Sequence, residues 1–135
     1  MPLMFWDSTF SVNVKEIDEQ HQKLVDLINN LYDAMKKGES KEVLPQIINS
    51  LIDYTKFHFS TEEKYFDQFG YPESETHKLE HSNFVKKVLD FKQGYETGQI
   101  GLTIDVITFL QEWLTKHIKG TDKKYGPFFN EHGLK

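Results

Sequence analysis

Apolar residues recur every three or four positions in four separate stretches of this chain, the repeat of one buried face of an α-helix. The first stretch carries Ile17, His21, Leu24, Ile28, Leu31 and Met35. The second carries Leu44, Ile48, Leu51, Thr55, His58 and Glu62, with Ile47, Tyr54 and Phe66 beside them. The third carries His77, His81, Phe84, Val88 and Phe91, and the fourth Val106, Ile107, Leu110, Trp113, Leu114, His117 and Ile118. Gly38-Glu39-Ser40, Gly70-Tyr71-Pro72 and Gly98-Gln99-Ile100-Gly101 separate the four, and such glycine and proline clusters end helices. Ser40 reads as an N-cap, with Pro45 near the first turn of its helix. No segment alternates with the period of two that a half-buried strand needs. The expected fold is therefore all-α. Short connections make neighbours antiparallel, giving an up-down-up-down four-helix bundle. An extended arm over about residues 1–16 offers Trp6, Phe10, Val12 and Val14 to the bundle, which spans about 17–122 of one domain, 1–135.

A chain of 135 residues has room for one ordinary domain and its core. It has no cysteine, which excludes disulfides, thiolate metal sites, iron–sulfur clusters and a cysteine nucleophile together. A formal charge of -5 argues against a nucleic-acid surface, and the lysines from Lys116 to Lys124 read as a solvated helix end. No run of apolar residues is long enough to insert in a membrane. Met1 to Asp7 lack the basic region and apolar run of a secretory signal, so the expected location is cytoplasmic.

Histidine is scarce, six residues in all, yet five of the six stand on apolar stripes. One such histidine is ordinary in a core. Five buried without partners would cost several kcal/mol in unmet hydrogen bonds, and a shared metal centre removes that cost. Spacing adds weight. His58 and Glu62, and likewise His77 and His81, lie four residues apart on one helical face. His21 joins them from the first stripe. His117 and Asp122 lie five apart, which on a regular helix points them roughly 140° from each other. Gly120 between them lets the turn widen or the helix end, so Asp122 is expected to swing back toward the core. Imidazole and carboxylate without sulfur suit iron, and after it manganese, copper or zinc; the set is too large for one tetrahedral zinc. If Glu62 and Asp122 each bridge two ions, and a solvent-derived oxo or hydroxo group bridges them too, two octahedra remain one ligand short. A small diatomic ligand fits such a position.

Ile17-Asp18-Glu19-Gln20-His21, His58-x3-Glu62, His77-x3-His81 and His117-x4-Asp122 together resemble the hemerythrin family, specifically its bacterial single-domain type, from Trp6 to about Tyr125. The resemblance implies two non-haem iron ions. His77, His81 and His117 would ligate the saturated iron, His21 and His58 the iron with the open position, and Glu62 and Asp122 would bridge. It implies reversible dioxygen binding, for carriage, storage or delivery, by a protein that is not an enzyme. It also implies an apolar wall around the oxygen, here Phe59, Trp113, Leu114 and Ile118. The partner is dioxygen, with an oxygen-consuming recipient enzyme not identified by the sequence. A different reading is a di-iron oxidase or peroxidase, or an oxygen- or nitric-oxide-responsive protein. Carboxylate-rich di-iron bundles use Glu-x-x-His pairs, and the residues three before the five histidines are Asp18, Thr55, Ser74, Lys78 and Leu114.

Overall fold

A computed structural model describes residues 4–98 and 101–135; Gln99 and Ile100 of the third connection and the first three residues of the arm lie outside it. Four long helices form the bundle: α1 Lys15–Lys36, α2 Ser40–Phe69, α3 Ser74–Glu96 and α4 Leu102–Trp113. The fourth continues without a break as a π-helical segment, Leu114–Thr121, and a short 3-10 turn, Asp122–Lys124, before a last helix, α5 Tyr125–Glu131. No strand occurs among the described residues. The helices run up-down-up-down, with α1 against α2 and α4, and α3 against α2 and α4, as the short connections dictate.

The apolar stripes meet along the axis. Leu24, Ile28, Leu31, Leu51, Val106, Leu110 and Leu114 are fully buried there, and burying one such side chain contributes about 1.5–3 kcal/mol. A second apolar cluster caps one end, built from Val12, Val14, Ile17, Phe66, Tyr71, Tyr125 and Phe129. It joins the arm to α5, a helix beyond the bundle that the stripes end short of.

The arm is held by side chains that replace its missing backbone partners. Asn29 pairs with both backbone groups of Met4, accepting from its N–H and donating to its carbonyl, each at 2.8 Å. Asp18 accepts from the Val12 N–H at 2.8 Å and the Ser11 hydroxyl at 2.6 Å. Phe10, Val12 and Val14 are buried and Trp6 is half-buried. Asn13 turns the chain into α1 at a φ of 60°, a left-handed conformation that asparagine adopts more readily than most residues.

The start of α2 departs from the expectation. Ser40 is the first helical residue, Glu39 holds the N-cap position with no side-chain cap bond, and Pro45 sits inside the helix. Proline has no N–H to donate to the carbonyl four residues back. That carbonyl, of Lys41, accepts from the Tyr95 hydroxyl of α3 at 3.5 Å. A tertiary contact thus takes the place of the helical bond, and the helix begins one residue before the expected start.

Candidate metal centre

Nine polar or charged residues are buried among the described residues: Gln20, His21, Thr55, His58, Glu62, His77, His81, His117 and Asp122. Thr55 satisfies itself by donating to the Ile52 carbonyl at 2.8 Å. The other eight converge on one place in the bundle. His21 comes from α1, His58 and Glu62 from α2, His77 and His81 from α3, and His117 from the π-helical segment. The i,i+4 pairs fall on single faces, as their spacing requires.

Asp122 arrives by a local distortion. Its N–H bonds to the His117 carbonyl, five residues back, the bond that defines a π turn. The wider turn returns Asp122 to the face of His117 and cancels the angular offset of a regular helix. Gly120 is not the reason. Its φ is not positive, and a Cβ built on it meets nothing within 4 Å. The widening already begins at Leu114, so the whole segment, not one glycine, is reset.

The Nε2 atoms of the histidines turn inward. Asp122 Oδ1 lies 2.7 Å from His77 Nε2 and 2.9 Å from His117 Nε2, while Oδ2 lies 3.1 Å from His21 Nε2. Glu62 Oε1 lies 3.0 Å from His58 Nε2 and 3.2 Å from His81 Nε2. Two sets of four form, each with its ligand atoms within 4.8 Å of one another: His77, His81, His117 and Asp122, and His21, His58, Glu62 and Asp122. Each carboxylate touches histidines of both sets.

Proximity here is not hydrogen bonding. Both oxygens of Glu62 and of Asp122, and Nε2 of His21, His77, His81 and His117, are buried without a hydrogen-bond partner. Leaving a buried polar atom unpaired costs about 1–3 kcal/mol, more for charged groups. Lone pairs that converge without pairing with each other suit cations between them. Burial opposes the charge of both acids, and Asp122 adds to the opposition at Glu62; the facing imidazoles outweigh this and hold both carboxyls well below the usual carboxylate range. Burial pushes His58 down; at His81 and His117 burial acts the same way but the facing carboxylates, Glu62 and Asp122, outweigh it and raise both, His117 to about 9. Imidazole and carboxylate ligands around two adjacent positions fit divalent iron.

On the outer side, three Nδ1 atoms have partners from the preceding helix. Gln20 Oε1 of α1 lies 2.6 Å from His58, Glu63 Oε2 of α2 2.9 Å from His81, and Glu80 Oε1 of α3 3.0 Å from His117. Sequence reasoning overlooked all three as site residues. The available signal was adjacency, since each directly neighbours a candidate ligand: His21, Glu62 or His81. One step around a helix turns about 100°, so the neighbour reaches sideways to the next helix.

The four residues expected to form an apolar wall lie close by. Phe59 stacks on His81 at 3.8 Å between ring centroids, and Trp113 stacks on His117 at 3.8 Å. Leu114 and Ile118 are buried in the main apolar cluster. His132 lies apart, its Nδ1 donating to the Phe128 carbonyl at 2.8 Å.

Fold and site together define a histidine-rich, metal-binding four-helix bundle. The model of the hemerythrin HHE cation binding domain matches residues 12–129. A bacteriohemerythrin of Methylococcus capsulatus is 35% identical over 128 residues, 94% of this chain and 97% of its own. A bacteriohemerythrin of Clostridium acetobutylicum is 32% identical, covering 91% of this chain and 98% of its own. A hemerythrin-like protein of Naegleria gruberi is 37% identical, covering 89% and 88%. The crystal structure of a wild-type hemerythrin superposes with a TM-score of 0.84 at 33% identity, covering 93% of this chain and 96% of that one. The chain belongs to the hemerythrin family, whose domain binds non-haem iron. No helix among the described residues is long and apolar enough to cross a membrane.

Proposed function

We propose that this chain holds two iron ions and binds dioxygen reversibly, as a cytoplasmic carrier or store and not as an enzyme. The observation that carries the reading is the pair of four-residue sets sharing Asp122, with inward lone pairs that no hydrogen bond uses. His77, His81 and His117 would hold one iron, and His21 and His58 the other. Glu62 and Asp122 would bridge, each already facing histidines of both sets. Bound as a reduced pair, two irons would supply the electrons with which dioxygen is held and would regain them on its release.

The chain's own residues do the rest. The buried carboxylates hold their charge and offset that of the cations. Gln20 at His58 Nδ1 leaves the Nε2 of that ring toward the interior. Phe59, Trp113, Leu114 and Ile118 would exclude water from the oxygen position, since an apolar hollow stays dry. Five imidazoles and two carboxylates favour the reduced ions more than a carboxylate-rich set does, which supports carriage over oxidation of a substrate.

Metal content tests the assignment. The full chain should hold two irons, and His132→Ala should hold as many. His77→Ala should lose iron. Equal losses in the two variants, measured by metal analysis, would reject the ligand set.

A further inference from the structure

Three outer contacts repeat one construction. A residue adjacent to a candidate ligand on one helix reaches Nδ1 of a histidine on the next: Gln20 to His58, Glu63 to His81, Glu80 to His117. Carboxylate oxygens only accept, so Nδ1 of His81 and of His117 must carry the proton and leave Nε2 to the interior. For Gln20 the amide could face either way, but its neighbours fix it. The Thr61 hydroxyl donates to the Phe57 carbonyl at 2.9 Å, so its oxygen is free to accept from Gln20 Nε2, 3.4 Å away. The Gln20 oxygen therefore turns to His58 and accepts from its Nδ1–H.

The three contacts share geometry and differ in charge. Both carboxylates support the set of His77, His81, His117 and Asp122. The set of His21, His58, Glu62 and Asp122 has the neutral amide alone, because His21 Nδ1 has no hydrogen-bond partner. Burial explains the division. Glu63 and Glu80 side chains are 35% and 36% exposed, where water reaches a carboxylate. Gln20 is 4% exposed, where a carboxylate would be costly. A carboxylate accepting from the distal N–H of an imidazole raises that ligand's basicity, and a neutral acceptor raises it less.

We propose that Gln20 is a positioning residue that sets the two metals apart: it holds His58 in the ligating tautomer while withholding the charge that Glu63 and Glu80 give to His81 and His117. The His21–His58 metal is then the weaker-donor, more easily reduced member of the pair. This rests on the di-iron reading above and adds to it which position favours the reduced ion, and why.

Spectroelectrochemical titration of the iron-loaded full chain tests the sign. Gln20→Glu should move the midpoint potential negative, because a charge is added behind His58. Glu63→Gln and Glu80→Gln should each move it positive, with both irons retained. A purely structural role would instead loosen the site alike in every variant. Shifts of one sign across the three, or Glu variants with the wild-type midpoint, would overturn the proposal. If Gln20→Glu fails to fold or to load, the two Glu variants decide alone. Iron content of the wild type checks the underlying reading separately. A wild type without iron fails that reading and this one together; iron with wrongly signed shifts fails only the role given to Gln20.

Discussion

Leu114 and Leu31 are both fully buried leucines of the main core, but only Leu114 precedes a candidate ligand, His117, by one helical step. Cutting either to alanine should cost about 2–5 kcal/mol through the transfer and cavity terms. The proposed function separates them. Leu114→Ala should open the oxygen position to water, because a hollow beside polar ligands fills, and autoxidation of the iron-loaded, oxygenated protein should rise several-fold. Leu31→Ala lies about 15 Å along α1 from His21 (ten residues at the usual helical rise) and should lose stability without that leak. Equal autoxidation rates in two folded variants would remove Leu114 from the oxygen wall. At this scale the inner residues were legible in sequence, since five histidines and Glu62 occupy positions that helical periodicity marks as buried. The outer partners were not. Gln20 sits on the first stripe, three after Ile17 and four before Leu24, but reads as a buried amide with no stated partner. Glu63 and Glu80 sit off the stripes, where periodicity treats residues as solvated, and only the crossing of one helix over the next brings all three to Nδ1 atoms.

Two glycines of the C-terminal third have opposite roles. Gly126 lies under the arm, where an added Cβ would stand 2.5 Å from the Val12 carbonyl oxygen. Gly126→Ala should push the arm off α5 and cost about 1–3 kcal/mol, as overpacking does, with a matching fall in thermal midpoint. Gly120→Ala meets open space and should be neutral or stabilising by up to about 1 kcal/mol, as Ala is the better helix former. Its iron content should equal that of the wild type. A Gly120→Ala chain that folds but loses iron would restore the glycine as the cause of the widened turn. The return of Asp122 to the face of His117 was foreseeable from the i,i+5 spacing, because the shared face required a wider turn. The extent of the π segment was not, for nothing in Leu114–Thr121 forbids a regular helix locally; the convergence of His117 and Asp122 on one face selects the wider one. Pro45 illustrates the converse. A local rule tolerates it near the first turn, and a hydroxyl from another helix supplies the partner that its missing N–H leaves the Lys41 carbonyl without.

Across the whole molecule, four stripes and three short connections sufficed to set the bundle, since antiparallel neighbours are the only arrangement such links permit. The arm and α5 needed long-range contacts to place them. Asp18, Asn29 and Gly126 do so through hydrogen bonds and close approach that have no periodic signature. The site in turn couples to stability, because its unpaired buried atoms burden the metal-free chain. Iron present at about a hundred times its Kd should stabilise by about 2.7 kcal/mol, on the order of 10 °C in Tm for a chain of this size. Chelation should remove that increment, and restored ferrous iron should return it. A Tm indifferent to iron would contradict a site built from the core. The most direct test of the central claim is optical. The reduced, iron-loaded chain should gain a visible absorption band in air, lose it under argon, and repeat the change over several cycles with no added reductant. A protein that bleaches in a single cycle, or consumes reductant with each admission of air, would be an oxidase and not a reversible oxygen binder.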